Sequence, residues 1–219
     1  MKKSEVEKHF DKIAKDYDKF TKKRDLHYAT LKSLLKIFIP KGKKVFEFGC
    51  GTGDILASLN VKSGYGMDIS SKMIKIAQEK HRAKRNLFFS KKWPNENFDF
   101  VFMSDVIEHL ENPQEVFNKI VRRMNKRSIF ICTMMNPIWE PVETVYGWLG
   151  LKMPEGKHKR IKFEKIAQML NKSGLMVQKH DYRLLMPIKI PLITHFMNNY
   201  LERYLKRFAF IEYFTATKS

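Results

Sequence analysis

A short apolar strand that runs directly into three alternating glycines is the feature that most constrains the fold of this chain. Residues 45–53 read Val-Phe-Glu-Phe-Gly-Cys-Gly-Thr-Gly. The apolar run suits a buried parallel strand. Gly49, Gly51 and Gly53 let the backbone turn sharply and approach a ligand where a Cβ would collide. A helix beginning near Asp54 would present free N–H groups to that ligand, so we expect a binding pocket at the end of this strand.

Asp68 supplies the second half of the pattern. It follows Gly49 by 19 positions and ends a second predicted strand, where its carboxylate can accept hydrogen bonds from both hydroxyls of a ribose. A dinucleotide site would require the spacing G-x-G-x-x-G. Here Asp54 occupies the place of the third glycine, and its negative charge would oppose a pyrophosphate. The pattern therefore favours a nucleoside ligand that carries no pyrophosphate.

Three linked segments resemble the class I S-adenosylmethionine-dependent methyltransferases, most closely the small-molecule branch related to quinone biosynthesis. They are residues 47–53, residues 66–70 with Met73, and residues 98–101 leading to Asp105-Val106-Ile107-Glu108-His109. The resemblance runs from about Phe10 to the end of the chain and implies S-adenosylmethionine as cofactor. The cofactor-binding residues implied by the matching positions are Tyr17, Arg24, Tyr28, Glu47, Gly49, Cys50, Gly51, Gly53, Asp68, Ile69, Met73 and Ser104.

Strand-like and helical segments alternate along the chain, which predicts a doubly wound, Rossmann-like α/β fold. We expect a seven-stranded, mostly parallel sheet with an antiparallel last strand and helices on both faces. The detailed predictions are N-terminal helices over 4–20 and 26–38, a fifth strand over 128–133, and a closing antiparallel pair over 175–182 and 210–217.

The chain has 219 residues, of which 43% are hydrophobic, and a chain of this size can bury one sizeable core. We therefore expect one domain over 1–219. Its parts are N-terminal lid helices in 1–40, a cofactor-binding core in 41–133, and two substrate-side insertions in 134–160 and 187–209.

The N-terminal segment Phe10-Asp11-x-x-Ala14-x-x-Tyr17-Asp18 resembles the lid helices of the family. The Tyr17 ring could cover a sulfonium by cation–π attraction, or it could pack beside Phe10 and Ala14 on one helix face. Arg24 either reaches the cofactor carboxylate or remains a solvated charge.

Methyl transfer from a sulfonium requires an in-line geometry and a dry site, and it requires a base only when the acceptor is a hydroxyl or a carbon acid. The catalytic candidates are His109, after the fourth strand, and His158, in the first insertion. Each also fits a structural histidine that bonds to the backbone. Asp105, Glu108 and His109 lie on one helical turn and could bind a divalent ion. Many relatives carry Glu-His there without a metal, so we predict no metal ligand.

The formal net charge of +19 lies mainly outside the core. Residues 1–44 carry 14 Lys or Arg against 6 Asp or Glu, residues 151–219 carry 14 against 5, and the segment between them carries 14 against 12. Such flanks can bind phosphates, nucleic acid or anionic lipid headgroups. A lysine-rich solvated surface is the alternative interpretation.

The segment 187–208 places apolar residues at helical spacing beside basic ones, which suits an interfacial helix or a helix that roofs an apolar pocket. Both interpretations favour a small hydrophobic or lipid-linked acceptor. RNA methylation and a non-catalytic interaction module are the alternatives. The charged start Met1-Lys2-Lys3 argues against a signal peptide, and no apolar run approaches the roughly 18 residues of a membrane span. We expect a cytoplasmic protein that can contact an anionic membrane peripherally.

Overall fold

The computed structural model of the protein describes residues 3–142, 144 and 161–219. In this part of the chain, seven strands form one sheet in the order β3-β2-β1-β4-β5-β7-β6. The strands are β1 (Lys44–Phe48), β2 (Ser63–Met67), β3 (Leu87–Ser90), β4 (Phe98–Ser104), β5 (Met124–Met135), β6 (Leu175–Arg183) and β7 (Ile211–Lys218).

The direction of the strands confirms the predicted fold class. β1 pairs in parallel with β2 and β4, β2 pairs in parallel with β3, and β4 with β5. β7 runs antiparallel between β5 and β6. The carboxyl ends of β1, β2 and β4 therefore meet at one edge of the sheet, where ligands bind in open α/β folds.

Helices cover both faces of the sheet. They are α1 (Lys3–Ile13), α2 (Tyr17–Lys23), α3 (Asp25–Phe38), α4 (Asp54–Ala57), α5 (Ser71–Lys80), α6 (Pro113–Val121) and α7 (Phe163–Lys172). Neighbouring strand residues point to opposite faces, so Val45 packs with α3, α4 and α5, whereas Phe46 packs with α6 and α7. Both side chains are fully buried.

The N-terminal segment differs from the prediction of one helix over 4–20. The chain turns between α1 and α2, where the N–H groups of Asp16 and Tyr17 donate to the carbonyls of Ile13 and Ala14. The turn leaves Lys15 and Asp16 in solvent. Ala14 is nevertheless buried with Met73 of α5, and Tyr17 packs against the same cluster.

The other two differences concern length and regularity. β5 extends beyond the predicted residues 128–133 at both ends, because it pairs with β4 from Met124 and with β7 as far as Met135. Residues 193–208 are helical, as the spacing suggests, but they form four consecutive segments: α8 (Ile193–Phe196), a π-helical turn (Met197–Leu201), α9 (Glu202–Leu205) and a 3₁₀ turn (Lys206–Phe208). No helix in the described ranges is long and apolar enough to cross a membrane.

Candidate cofactor cleft

A cleft of about 760 Å³ opens at the carboxyl edge of the sheet. Its walls come from α1, α2, the segments that follow β1, β2 and β4, and the start of α6. The residues that the sequence predicted and that line this cleft are Tyr17, Gly49, Gly51, Asp68, Ile69, Met73, Ser104 and His109.

The glycine loop after β1 has the backbone that the sequence requires. Gly49, Gly51 and Gly53 have φ values of 78°, 51° and 82°, a region that other residues enter only with strain. The N–H groups of Gly49 and Cys50 donate to the carbonyl of Met67 at 2.7 and 2.9 Å. These bonds fasten the loop to the end of β2, beside Asp68.

Asp68 connects the glycine loop after β1 with the segment between β2 and α5. Its carboxylate accepts the N–H of Gly51 through Oδ2 at 2.8 Å and the N–H of Ser70 through Oδ1 at 2.8 Å. Burial raises the pKa of Asp68 above its usual value, while hydrogen bonds from backbone N–H groups act in the opposite direction. Each carboxylate oxygen has two lone pairs, so Asp68 can hold the loop and still accept ribose hydroxyls.

Tyr17 covers the glycine loop from the lid side. A Cβ at position 51 would lie 3.4 Å from the Tyr17 ring, so the ring packs directly on the loop. The Tyr17 hydroxyl lies 3.3 Å from the Tyr28 hydroxyl. Burial, together with Tyr28 and the nearby Asp105, raises the pKa of Tyr17 well above its usual value. Tyr17 therefore presents a neutral aromatic ring and a phenol to the cleft.

Two aspartates of the lid motif fasten the lid to the core. Asp11 on α1 accepts from the hydroxyl of Ser70, which also caps α5 by accepting the N–H of Met73. Asp18 on α2 accepts from the hydroxyl of Thr52 in the glycine loop at 2.8 Å. The lid helices α1 and α2 are thereby bonded to the segment after β2 and to the glycine loop after β1. These bonds give Asp11 and Asp18 a structural role.

Glu47, Cys50 and Gly53 lie behind the cleft and do not line it. The buried Glu47 carboxylate accepts the N–H of Leu56 at 3.2 Å, and burial raises its pKa well above the usual value. Cys50 packs in the core, and a Cβ at Gly53 would lie 2.6 Å from the Phe89 ring. These three residues shape the loop from beneath.

Arg24 and Tyr28 also lie outside the cleft wall. The Arg24 guanidinium lies 5.7 Å from the centre of the Phe210 ring. Tyr28 does not line the cleft, and its hydroxyl lies 3.3 Å from the Tyr17 hydroxyl. The structure therefore places both residues in a second layer behind Tyr17.

The segment after β4 carries the predicted catalytic and metal candidates. His109 lines the cleft, and its ring meets the Phe10 ring edge-on at 5.2 Å. Asp105 also lines the cleft, whereas Glu108 is buried in a 3₁₀ turn. No group of three or more His, Cys, Asp or Glu side chains in the described ranges is arranged to hold a metal. His158 lies outside the described residues.

Trp93 and His27 are among the residues at the site that were not predicted from the sequence. Trp93 lines the cleft three residues after β3 and packs against Phe48 at 5.2 Å. His27 on α3 places its Nε2 2.6 Å from Oδ2 of Asp105. Helical spacing puts His27 on the same face as Leu31 and Leu34, which signals burial, but it does not reveal the partner.

Comparisons with known proteins agree with this geometry. A family model described as a methyltransferase domain matches residues 20–180. An uncharacterised protein of Methanocaldococcus jannaschii is 34% identical over 74% of this chain and 74% of its own length. A malonyl-[acyl-carrier protein] O-methyltransferase of Marinomonas is 23% identical over 79% of this chain and 67% of its own length.

A solved structure shares the fold. The magnesium protoporphyrin IX methyltransferase of Synechocystis, with bound S-adenosylhomocysteine, superimposes with a TM-score of 0.67 at 19% identity and covers 99% of both chains. The family match spans most of the chain and includes the glycine loop and Asp68. The chain therefore belongs to the methyltransferase domain family and is an S-adenosylmethionine-dependent methyltransferase.

Proposed function

We propose that the protein methylates a small hydrophobic or lipid-linked acceptor that it meets at an anionic membrane surface. One observation carries this proposal: four aromatic side chains of the segment 193–208 stand in solvent. We name them the aromatic ridge: Phe196, Tyr200, Tyr204 and Phe208, with exposed fractions of 54, 56, 71 and 54%. Contiguous exposed apolar side chains mark interaction surfaces.

The ridge lies on the edge of the sheet where the cleft opens. The insertion leaves the sheet at Arg183, the last residue of β6, and returns at Ile211, the first residue of β7, and these two residues are paired in register. This end of β7 lies beside the carboxyl end of β5. Lys189 also forms an ion pair with Asp25 at the start of α3. An acceptor held at the ridge is therefore on the side of the molecule that faces the cofactor cleft.

The charge beside the ridge favours an anionic surface. Arg203 and Arg207 are exposed, and the Arg203 guanidinium lies 4.6 Å from the centre of the Tyr204 ring. Glu202, the only acidic residue between 187 and 209, is buried and accepts from Arg183 at 3.1 Å. Aromatic rings with neighbouring arginines suit the headgroup layer of a membrane.

A second, partly apolar groove is available to bind the apolar part of the acceptor. It measures about 720 Å³ and lies between α3 and the insertion. Its lining combines apolar side chains, among them Leu26, Ile37 and Ile190, with polar ones such as Thr30 and Asn198. Leu26 lines this groove, whereas the next residue of α3, His27, contacts Asp105 at the cleft. The groove and the cofactor cleft thus lie on different sides of α3. We propose that the groove binds the apolar part of the acceptor.

The chain's own part in the reaction is to orient the reactants and exclude water. Bound S-adenosylmethionine supplies an already activated methyl group, and good orientation alone can contribute roughly 7–11 kcal/mol. Tyr17 and Phe10 close the lid side of the cleft. His109 has its ring at the cleft wall, and in this proposal it removes the proton of a hydroxyl acceptor. A catalytic role for His158 is proposed from the family resemblance alone.

Two similar proteins support an apolar or carrier-linked acceptor. One is the malonyl-[acyl-carrier protein] O-methyltransferase of Marinomonas, and the other is the magnesium protoporphyrin IX methyltransferase of Synechocystis. RNA is the competing acceptor, because the net charge of +19 suits a polyanion. Transfer of a tritiated methyl group into the separated lipid, RNA and small-molecule fractions of a cell extract distinguishes them, and label confined to RNA would overturn the proposal.

Changing Arg203 and Arg207 to Gln is expected to release the protein from anionic vesicles. Each basic residue near such a surface contributes about 1 kcal/mol, so the loss of two should lower the partition coefficient roughly 30-fold, since 1.4 kcal/mol is a factor of ten. Sedimentation with phosphatidylserine-containing vesicles at low salt measures this effect.

A second double variant provides the matched control. Lys126 and Arg127 are also exposed but lie at the amino end of β5, on the opposite edge of the sheet. Changing both to Gln removes the same charge, and vesicle binding should fall only slightly. Equal losses in the two variants would point to net charge rather than to the ridge and would count against the membrane proposal.

Removal of divalent ions is expected to leave methyl transfer intact. A metal site on the segment after β4 would need Asp105, Glu108 and His109 to converge, but Asp105 contacts His27 instead. Activity measured after exhaustive chelation should stay within twofold of the untreated enzyme. Loss of activity in chelator, with recovery on addition of Mg²⁺, would contradict this expectation.

A further inference from the structure

We infer that His27 is a positioning residue that holds the Asp105 carboxylate toward the cationic, amino-acid end of the bound cofactor. The inference rests on the cofactor cleft and is independent of the acceptor proposed above. His27 lies on α3 and Asp105 follows β4, so 78 residues separate them in sequence. The fold nevertheless brings Nε2 of His27 to 2.6 Å from Oδ2 of Asp105.

The imidazole of His27 is fixed by its surroundings. The side chain is 2% exposed. The rings of Tyr28 and Phe210 meet it edge-on, at centroid distances of 5.3 and 5.4 Å. Edge-to-face packing of this kind holds a ring in one orientation. His27 can therefore act as a rigid hydrogen-bond donor to Asp105.

Asp105 adopts a backbone conformation that needs support. Its φ of 54° lies in the left-handed region, which non-glycine residues enter at a cost. Its N–H donates to the carbonyl of Thr133 at 3.0 Å. Strained residues of this kind cluster at functional sites, where surrounding contacts maintain them. The bond from His27 is such a contact, and it keeps the carboxylate at the cleft wall.

The sheet topology brings one end of the cofactor to Asp105, and the inference assigns the amino-acid end to that place. β1 lies between β2 and β4 in the sheet. A ligand whose ribose lies at Asp68, after β2, crosses the glycine loop after β1 and brings its other end toward β4. In S-adenosylmethionine that end carries two cationic groups, the sulfonium and the α-ammonium, and one anionic group, the α-carboxylate, so its net charge is positive. Asp105 is 25% exposed and lines the cleft there, so its charge attracts the cationic end.

The inference is tested by a double-mutant cycle on S-adenosylmethionine affinity, measured by calorimetry. His27→Leu and Asp105→Asn should each weaken binding at least tenfold. His27→Gln, whose amide nitrogen can replace Nε2 as a donor, should stay within threefold of the wild type. His27→Leu introduced into the Asp105→Asn variant should cost less than twofold, because His27 acts only through Asp105.

Two further measurements separate positioning from a general loss of stability. His180→Leu breaks a similar pair, in which His180 Nε2 lies 2.7 Å from Glu212 Oε1 away from the cleft, and it should leave affinity unchanged. In the protein without ligand, the ¹⁵N resonance of His27 Nε2 should be that of a protonated nitrogen and should shift in Asp105→Asn.

The inference is overturned if folded His27→Leu binds S-adenosylmethionine within twofold of the wild type, or if it costs as much in the Asp105→Asn background as alone. Should His27→Leu fail to fold, Asp105→Asn decides the question: unchanged affinity in that variant also overturns the inference.

Discussion

Asp68→Ala is expected to weaken S-adenosylhomocysteine binding by at least about 100-fold in a protein that still folds. A hydrogen bond to a charged group contributes about 1.5–3 kcal/mol, and 1.4 kcal/mol is a factor of ten in affinity. The two ribose hydroxyls would lose their shared acceptor. The N–H groups of Gly51 and Ser70 would lose theirs as well, so the loop would also be less well held. Titration calorimetry measures the affinity.

Asp99→Ala is the matched control for this prediction. Asp99 also accepts a backbone N–H, that of Lys44, at 2.9 Å, but it lies at the amino edge of the sheet, far from the cleft. Its loss should lower the free energy of unfolding without changing S-adenosylhomocysteine affinity. If Asp68→Ala binds as tightly as the control, Asp68 is not the ribose ligand.

The strand and glycine loop were predictable because their requirements are local. Val45 and Phe46 must alternate between two buried faces, and Gly49 and Gly51 must adopt positive φ. Each requirement restricts the residue type at its own position, so the pattern is visible without knowledge of the fold. The mostly parallel seven-stranded sheet and its antiparallel last strand then follow from the alternation of elements and the family resemblance.

Contacts between distant segments were not predictable in the same way. Asp11 and Asp18 meet hydroxyls 59 and 34 residues away, and His27 meets Asp105 across 78 residues. A helix pattern shows only that His27 faces inward. The partner of His27 depends on how α3 packs over the end of β4. The spacing of residues along the sequence does not reveal this packing.

The insertion shows a second limit of pattern-based prediction. An amphipathic spacing identifies a helix with one apolar face, but it cannot say whether that face is covered by the same chain. The structure leaves the aromatic ridge in solvent. It also interrupts the helix with a π-helical turn, a feature that frequently occurs at functional sites. Exposure of the ridge thus favours the interfacial helix that the sequence left open beside a helix that roofs a pocket, and docking on a membrane stays a proposal.

Gly49→Ala is the second variant for which we expect a large effect, with loss of cofactor binding of at least 100-fold. Position 49 has a φ of 78°, and a Cβ there would lie 2.3 Å from Cγ2 of Val106. Left-handed strain costs about 1–2 kcal/mol for a residue with a Cβ, and overpacking adds about 1–3 kcal/mol. Val106 is β-branched and therefore stiff. Because Val106 and Gly49 both line the cleft, relaxation of the clash must deform the binding surface.

Gly42→Ala isolates the backbone contribution to this effect. Gly42 has nearly the same φ, 77°, but no atom lies within 4 Å of a Cβ placed there, and it lies in the turn before β1. Its replacement should lower the free energy of unfolding by about 1–2 kcal/mol and leave S-adenosylhomocysteine affinity unchanged. Adding Val106→Ala to Gly49→Ala should recover part of the affinity, because it removes the clashing methyl groups but not the strain. If Gly49→Ala behaves like Gly42→Ala in both measurements, the close contact between the loop and Val106 does not shape the cofactor site.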